Sequence, residues 1–263
     1  MPSQAENEAT VTPKLAFVIP AYNEEALIGD CVQSVCDELD RSGVPAEIVV
    51  VDNASTDNTA AIAGRFERVR VVTETRKGIV WARKAGYEAT TAPLVANIDA
   101  DNMLTPGWST TVIREFEADP ELVALSGPFI YHDLSPLHRL WVRFFYCGAY
   151  VAYLVNRFVL KVGSMLQGGN FIIKRTAWDQ AGGFDTKIDF YGEDIDVAVR
   201  LFRIGKVKWM WRLPIYSSGR RLVNEGIVKS GWIYTLNFLS VTFTGRPKTA
   251  AYTDVRPGTD KEA

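Results

Sequence analysis

Short, nearly uninterrupted apolar runs alternate along the first hundred residues with polar segments of helical period. Leu15 to Pro20 is the first run, a buried strand stopped by proline. Ala21-Tyr22-Asn23-Glu24-Glu25 follows as a loop. Ala26, Leu27, Val32, Val35 and Leu39 then roughly keep the 3.6-residue spacing of a helix, which Gly43-Val44-Pro45 breaks. Glu47 to Asp52 is almost entirely β-branched, as expected for a strand buried on both faces. Asp57 suits an N-cap for the short helix after it. Val69 to Val72, a helix from Gly78 to Ala89, and Leu94 to Ile98 behind Pro93 complete the series. This alternation predicts an α/β chain with a mostly parallel sheet and helices on both faces. Its polar turns all follow strand C-terminal ends. Tyr22, Asn23, Glu24, Asp52, Asn53, Lys77, Asp99 and Asp101 are therefore expected along one edge, where open α/β sheets form a ligand crevice.

The second half reads differently. Pro106-Gly107-Trp108 opens a helix and Leu122 to Gly127 is a fifth strand. Leu140 to Leu160 is rich in aromatics, with Arg139, Arg143, Arg157 and Lys161 at intervals. Its uncharged stretch Phe144 to Val155 is too short to span a bilayer and suits a buried or interfacial helix. Gly168-Gly169-Asn170 reads as a turn feeding a strand, and Gly182 to Asp185 as another turn. Asp189 to Asp194 leads into a helix with Ile195, Val199 and Phe202 on one face. Val207 to Trp211 is a late strand, Ser217 to Arg221 a basic turn, and Trp232 to Phe243 a second apolar helix. The expected organisation is one domain over 14–244, with a first half at 14–104 and a second at 105–244. Apolar helices lie near 137–162 and 226–243, with loose polar tails at 1–13 and 245–263.

Composition acts mainly by exclusion. With 263 residues, 47% of them hydrophobic and 23% charged, the chain has ample material for a core. A net charge of −2 offers no basic stripe for nucleic acid. Three cysteines without metal or redox spacing fit a reducing compartment. The N-terminus lacks the pattern of a signal peptide.

The candidate chemistry is acidic. Asp99 and Asp101, two apart at a strand end, share a face in extended geometry and would repel unless a cation neutralises them. Hard oxygen ligands suit Mg²⁺ or Mn²⁺, with substrate phosphates completing the shell. Asp52 can accept hydrogen bonds from a nucleobase or ribose, or merely cap its own turn, the better reading for Asn53 and Ser55. Lys77 could meet phosphate; Arg76 reads as a solvated helix start. Glu193 and Asp194 stand together behind Gly192, where a carboxylate can act as general base or simply suit a helix start. Arg220 and Arg221 could neutralise a departing diphosphate, or form ordinary surface pairs.

Taken together, Pro-Ala-Tyr-Asn-Glu-Glu at 20–25, Val-Asp-Asn-Ala-Ser-Thr-Asp at 51–57, Asp99-Ala100-Asp101, Gly168-Gly169-Asn170, Gly183-Phe184-Asp185 and Gly192-Glu193-Asp194 resemble the family 2 glycosyltransferases of GT-A fold. The resemblance covers roughly residues 15 to 225. It implies inverting transfer from a nucleotide-diphosphate sugar with a divalent metal. Pro20, Tyr22 and Glu24 would line the nucleotide pocket, Asp52 would hold the base and Lys77 would lie near it. Asp99 would contact ribose or metal, Asp101 would bind metal, Asp194 would be the catalytic base, and Gly169 and Asn170 would border the acceptor. Two departures stand out: no histidine follows His138, where many relatives place a metal ligand, and the Gln-x-x-Arg-Trp motif of processive synthases is absent. The first rests the metal on Asp101, diphosphate and water; the second favours transfer of one sugar per encounter.

Two other readings remain open. A sugar-phosphate nucleotidyltransferase typically begins with a glycine-rich phosphate loop, whereas Ala21 to Glu25 contains no glycine. A non-catalytic scaffold would have lost the carboxylates. The expected partners are a nucleotide-diphosphate sugar and a glycan or lipid-linked acceptor. The expected place is the cytoplasm, with a peripheral position on the cytoplasmic face of a membrane as the alternative. The aromatic helices read equally as lipid contacts or as helices packed on the sheet or in a homodimer interface.

Overall fold

The computed structural model describes residues 12–161, 165–186, 192–244 and 248–249. Most of the expected tails at 1–13 and 245–263, and the lead-in Asp189-Phe190-Tyr191, lie outside the described residues. The order begins β1 (Leu15–Ala21), α1 (Ile28–Ser42), β2 (Ala46–Asp52), α2 (Thr59–Ala63), β3 (Val69–Thr73), α3 (Ile79–Glu88) and β4 (Leu94–Ile98). It continues with β5 (Asn102–Leu104), α4 (Trp108–Ala118), β6 (Leu122–Ser126), β7 (Phe129–Tyr131) and α5 (Pro136–Leu154). A π-helical stretch, Val155–Leu160, extends α5. Then come β8 (Asn170–Lys174), α6 (Arg175–Gln180), α7 (Glu193–Phe202), β9 (Lys206–Trp209), β10 (Ile215–Ser217), α8 (Arg220–Glu225) and α9 (Ile227–Thr244).

A seven-stranded sheet in the order β3-β2-β1-β4-β8-β6-β9 forms the centre, and a small sheet β5-β10-β7 sits beside it. Within the large sheet only β8 runs against its neighbours, pairing Asn170 with Ile98 at the end of β4. Both faces are covered, which explains the continuous apolar runs. Leu15, Phe17 and Ile19 of β1 pack on one face with Val32 and Val35 of α1 and Trp108 and Val112 of α4. The intervening Val18 packs on the other face with Ala82 of α3, Trp178 of α6 and Leu201 of α7. A third cluster, Val142, Tyr146 and Tyr153 with Trp209, holds α5. Ser135 starts that helix, its hydroxyl accepting the His138 amide, with Pro136 at the first position.

Several local expectations are corrected. The strands β5, β7 and β10 were not foreseen, nor was α6. Ser217 to Arg221 is not one turn: Ser217 ends β10, and Arg220 and Arg221 open α8. Asp99 and Asp101 are not neighbours on an extended strand face. β4 ends at Ile98, and Asn102 N–H donates to Asp99 O at 3.0 Å, closing a turn that gives the two carboxylates different partners.

Candidate active site

The ends of β1 and β4 and the starts of α3, α7 and α8 surround a cavity of about 950 Å³. Pro20, Tyr22, Glu24, Lys77, Asp99, Asp101, Glu193, Asp194, Arg220 and Arg221 line it; Asp52, Gly169 and Asn170 do not. The crevice predicted from topology therefore exists, with most of its expected residues.

Two ion-pair clusters shape its polar end. In the first, Arg220 Nη2 reaches Glu24 Oε1 at 2.5 Å and Asp101 Oδ2 at 3.2 Å. Glu24 is buried, and its amide donates to Thr59 Oγ1 at 2.8 Å, anchoring the first loop to α2. Burial pushes the Asp101 carboxyl up to about 7; Arg220 opposes this, and the neighbouring Asp99 and Glu24 charges add to it.

The second cluster centres on Arg83, which is 1% exposed. Its Nη2 donates to Asp99 Oδ1 at 2.9 Å and its Nη1 to Glu193 Oε1. The guanidinium also lies 5.1 Å from the Phe171 ring centroid. Arg83 thus joins the turn after β4 to the start of α7. It was missed in the sequence, where it reads as a helix-surface charge. The available signal was its company of small residues, Ala82 and Gly86. A Cβ on Gly86 would stand 2.3 Å from Val18 Cγ1, so the glycine lets α3 press onto β1. That close seating is what carries Arg83 inward.

Asp194 sits in the first turn of α7. Its Oδ2 accepts Gly168 N–H at 2.9 Å and its Oδ1 accepts Ile195 N–H at 2.9 Å. Burial raises its carboxyl above the ordinary value, against the pull of Arg83 and of those amides. The carboxylate is held in place and its affinity for a proton is raised, two features that suit a proton acceptor.

The acceptor-side residues need correction. Asn170 is fully buried. Its Nδ2 donates to Gly127 O at 3.0 Å and Leu213 O at 2.9 Å, and its Oδ1 accepts from Trp108 Nε1 at 3.3 Å. It ties the start of β8 to α4 and to the loops after β6 and before β10, and Gln167 and Gly168 line the wall instead. Gly169 backs Asp99: it has φ +78°, and an added Cβ would stand 2.3 Å from Asp99 Oδ2. On the donor side, Asp52 Oδ1 accepts Ser55 N–H at 3.3 Å, the turn-capping alternative. Asn53 ties the turn after β2 to the loop between β3 and α3, donating to Glu74 O and Arg76 O while accepting from Gly78 N–H. Lys77 Nζ donates to Tyr22 Oη at 3.0 Å, and Arg76 is paired with Glu74. Arg221 Nη1 contacts Glu225 Oε1 at 3.0 Å.

Hard oxygen donors suited to Mg²⁺ or Mn²⁺ face the cavity on Asp99 and Asp101. Among the described residues no three His, Cys, Asp or Glu side chains converge closely enough to hold an ion alone. The crowding of Asp101 by Asp99 and Glu24 is relieved by added positive charge, so the donor set fits an ion completed by diphosphate and water.

Comparison with known proteins bears on the fold and the family. The chain is 26% identical over 242 residues to a hyaluronan synthase of Pasteurella multocida, covering 86% of this chain and 23% of that protein, so it spans about a quarter of that relative's length. A mannosyltransferase from Pyrobaculum calidifontis in complex with GDP-Man and Mn²⁺ superposes with a TM-score of 0.64 at 21% identity, over 93% of this chain and 67% of that one. Glucosyl-3-phosphoglycerate synthase from Mycobacterium tuberculosis, in complex with Mn²⁺, UDP-glucose and phosphoglyceric acid, gives 0.61 at 20% identity, over 93% and 90%. These likenesses establish the fold as GT-A. The model of glycosyl transferase family 2 matches residues 16–232, and the chain belongs to that family.

Proposed function

We propose that the chain transfers a single sugar, with inversion, from a UDP- or GDP-sugar to an acceptor hydroxyl on a glycan or lipid-linked acceptor in surface-glycan or glycolipid synthesis. The observation that carries this reading is that one cavity holds both the Arg220–Asp101 cluster and the fixed carboxylate of Asp194.

Pro20, Tyr22, Glu24 and Lys77 line the donor end, with Asp52 below it as the base-side carboxylate. Asp99, oriented by Arg83, faces the ribose or the metal. Asp101 would hold the metal, with Asp99 beside it. Bound there, Mg²⁺ or Mn²⁺ supplies positive charge to the diphosphate as it leaves. Arg220 and Arg221 add fixed positive charge on the same side. Asp194 accepts the proton of the acceptor hydroxyl as its oxygen bonds to the anomeric carbon. The bond from that carbon to the diphosphate oxygen breaks, and its electron pair leaves with the nucleoside diphosphate. Glu193, held by Arg83, positions this end of α7. Residues 14–104 carry most donor contacts and 105–244 the base and acceptor side; Arg220 reaches back across that division.

Cys31, Cys36 and Cys147 are free thiols, which fits a reducing compartment and a cytoplasmic place. Among the described residues no helix is long and apolar enough to cross a membrane. The test is release of nucleoside diphosphate from a panel of UDP- and GDP-sugars, with Mg²⁺ or Mn²⁺ and with excess chelator. One donor should turn over, and both chelation and Asp101→Ala should abolish the reaction while the fold persists. Full activity in chelator would sink the metal assignment, and no turnover of any donor would sink the transfer reading.

A further inference from the structure

The cavity does not end at its charges. The same cavity is also lined by α5 and α9, which form an apolar trough that includes Met165 and Leu166 and, at its exposed rim, Trp141, Phe144 and Trp232. Phe144 is 73% exposed and Trp232 65% exposed, so the rim opens outward. The helices meet where Gly231 leaves room for the Phe145 ring, with an added Cβ 3.2 Å from Phe145 Cε2.

The rim continues along the outer face of α5. Leu137, Leu140, Trp141, Phe144, Val151 and Val155 follow helical spacing and are all exposed. A stripe of this kind on a helix packed through its other face is not needed for folding. From 136 to 161 the sequence has no Asp or Glu but contains Arg139, Arg143, Arg157 and Lys161. Arg157 bonds inward to Tyr153 and Val207, whereas Arg139, Arg143 and Lys161 are exposed. Cationic residues flanking exposed aromatic rings complement an anionic lipid surface. Polar groups of α9 also line the trough, among them Thr235 and the 1% exposed Asn237, whose Oδ1 accepts the Lys248 and Thr249 amides and whose Nδ2 has no hydrogen-bond partner among the described residues.

We propose that the trough between α5 and α9 seats the hydrocarbon chain of a lipid acceptor, drawn from an anionic bilayer surface on which the outer stripe of α5 rests. The proposal builds on the glycosyl-transfer reading and names the acceptor class for that site. A second copy of the chain is a poorer occupant of this face, because two such surfaces would bring together like charges from Arg139, Arg143 and Lys161 without an acidic complement on the segment.

Vesicles of phosphatidylglycerol mixed with brominated phosphatidylcholine test the surface directly. The full chain should float with them at low salt, with quenched tryptophan emission, and be released as salt rises. Trp232→Ser and Phe144→Ser, both on the exposed rim, should weaken flotation several-fold. Transfer should then be compared between acceptors sharing one head group but differing in chain length. Apparent affinity should tighten roughly fourfold per added methylene while the trough fills. Ala149→Trp, within the trough, should reduce transfer to the long-chained acceptor at least tenfold more than to the short one. A chain that stays off the vesicles and sediments as a dimer, or an acceptor series without chain-length dependence, overturns the proposal. Flotation is independent of turnover. Floating protein that releases no nucleoside diphosphate from any donor therefore keeps the lipid surface and removes the transfer reading.

Discussion

The two ends of the cavity recognise in opposite ways. At the polar end, side chains are committed before any substrate arrives. Arg220 is divided between Glu24 and Asp101, Arg83 between Asp99 and Glu193, and Lys77 contacts Tyr22. At the other end α5 and α9 offer ring faces and methyl groups with few polar anchors. A fixed charge array suits a ligand of defined shape, because its groups need no reordering as charge develops. An apolar trough suits a ligand whose length matters more than its pattern, because apolar burial is non-directional. Asp194 stands where the two ends meet.

The sharpest test of that division is Asp194→Asn. Turnover should fall by roughly 10²–10⁴-fold with donor KM little changed. Steady-state kinetics showing mainly a weaker donor would move Asp194 to the polar end. Arg83→Met should come next, costing about 3–5 kcal/mol of stability in urea unfolding, because buried carboxylate charge loses its cation. Adding Glu193→Gln should restore part of that loss; strict additivity of the two would show that the pair is not coupled. Asn170→Ala separates scaffold from site. It should cost about 1–3 kcal/mol for the Gly127 and Leu213 carbonyls left unpaired and leave acceptor KM unmoved. A raised acceptor KM at unchanged stability would return Asn170 to the acceptor site.

The smallest expected effect concerns pH. Burial raises the Asp194 carboxyl above 3.8, so turnover should fall as pH drops through this raised value, and Asp194→Asn should flatten that limb. Stability should run the other way. As pH climbs from the unfolded value to the folded one, the unfolded chain ionises first, so Asp194's contribution to stability declines and then levels. Unfolding midpoints of the native chain and Asp194→Asn across that range would show the difference; parallel curves would contradict it.

The layered sheet was legible because burial on both faces left β1, β2 and β4 almost without polar positions. The expected edge was legible for the same reason: strand ends fix where polar turns must lie. The short strands were not. Met103, Ile130 and Tyr216 are the middle residues of three-residue strands, too brief to show a period. Arg83 was hidden by distance, since its partners lie 16 and 110 residues away. Asn170 misled because Gly-Gly-Asn resembles a loop, whereas Asn170 is the first residue of β8 and its side chain faces inward. Asp99-x-Asp101 was placed correctly in space but given the wrong local geometry.

The reversed direction of β8 has an architectural consequence. Its neighbours in the sheet, β4 and β6, finish at the edge where β8 begins. In the proposed reading, segments that follow β1, β2 and β4 shape the donor side and the segment that precedes β8 shapes the acceptor side. The described residues between the end of β7 and Gly168, α5 among them, thus hang on β8 as a cassette outside the order of strands. Under the proposed reading, exchanging that cassette between relatives would change the α5 wall that meets the acceptor and leave the machinery that holds the donor in register.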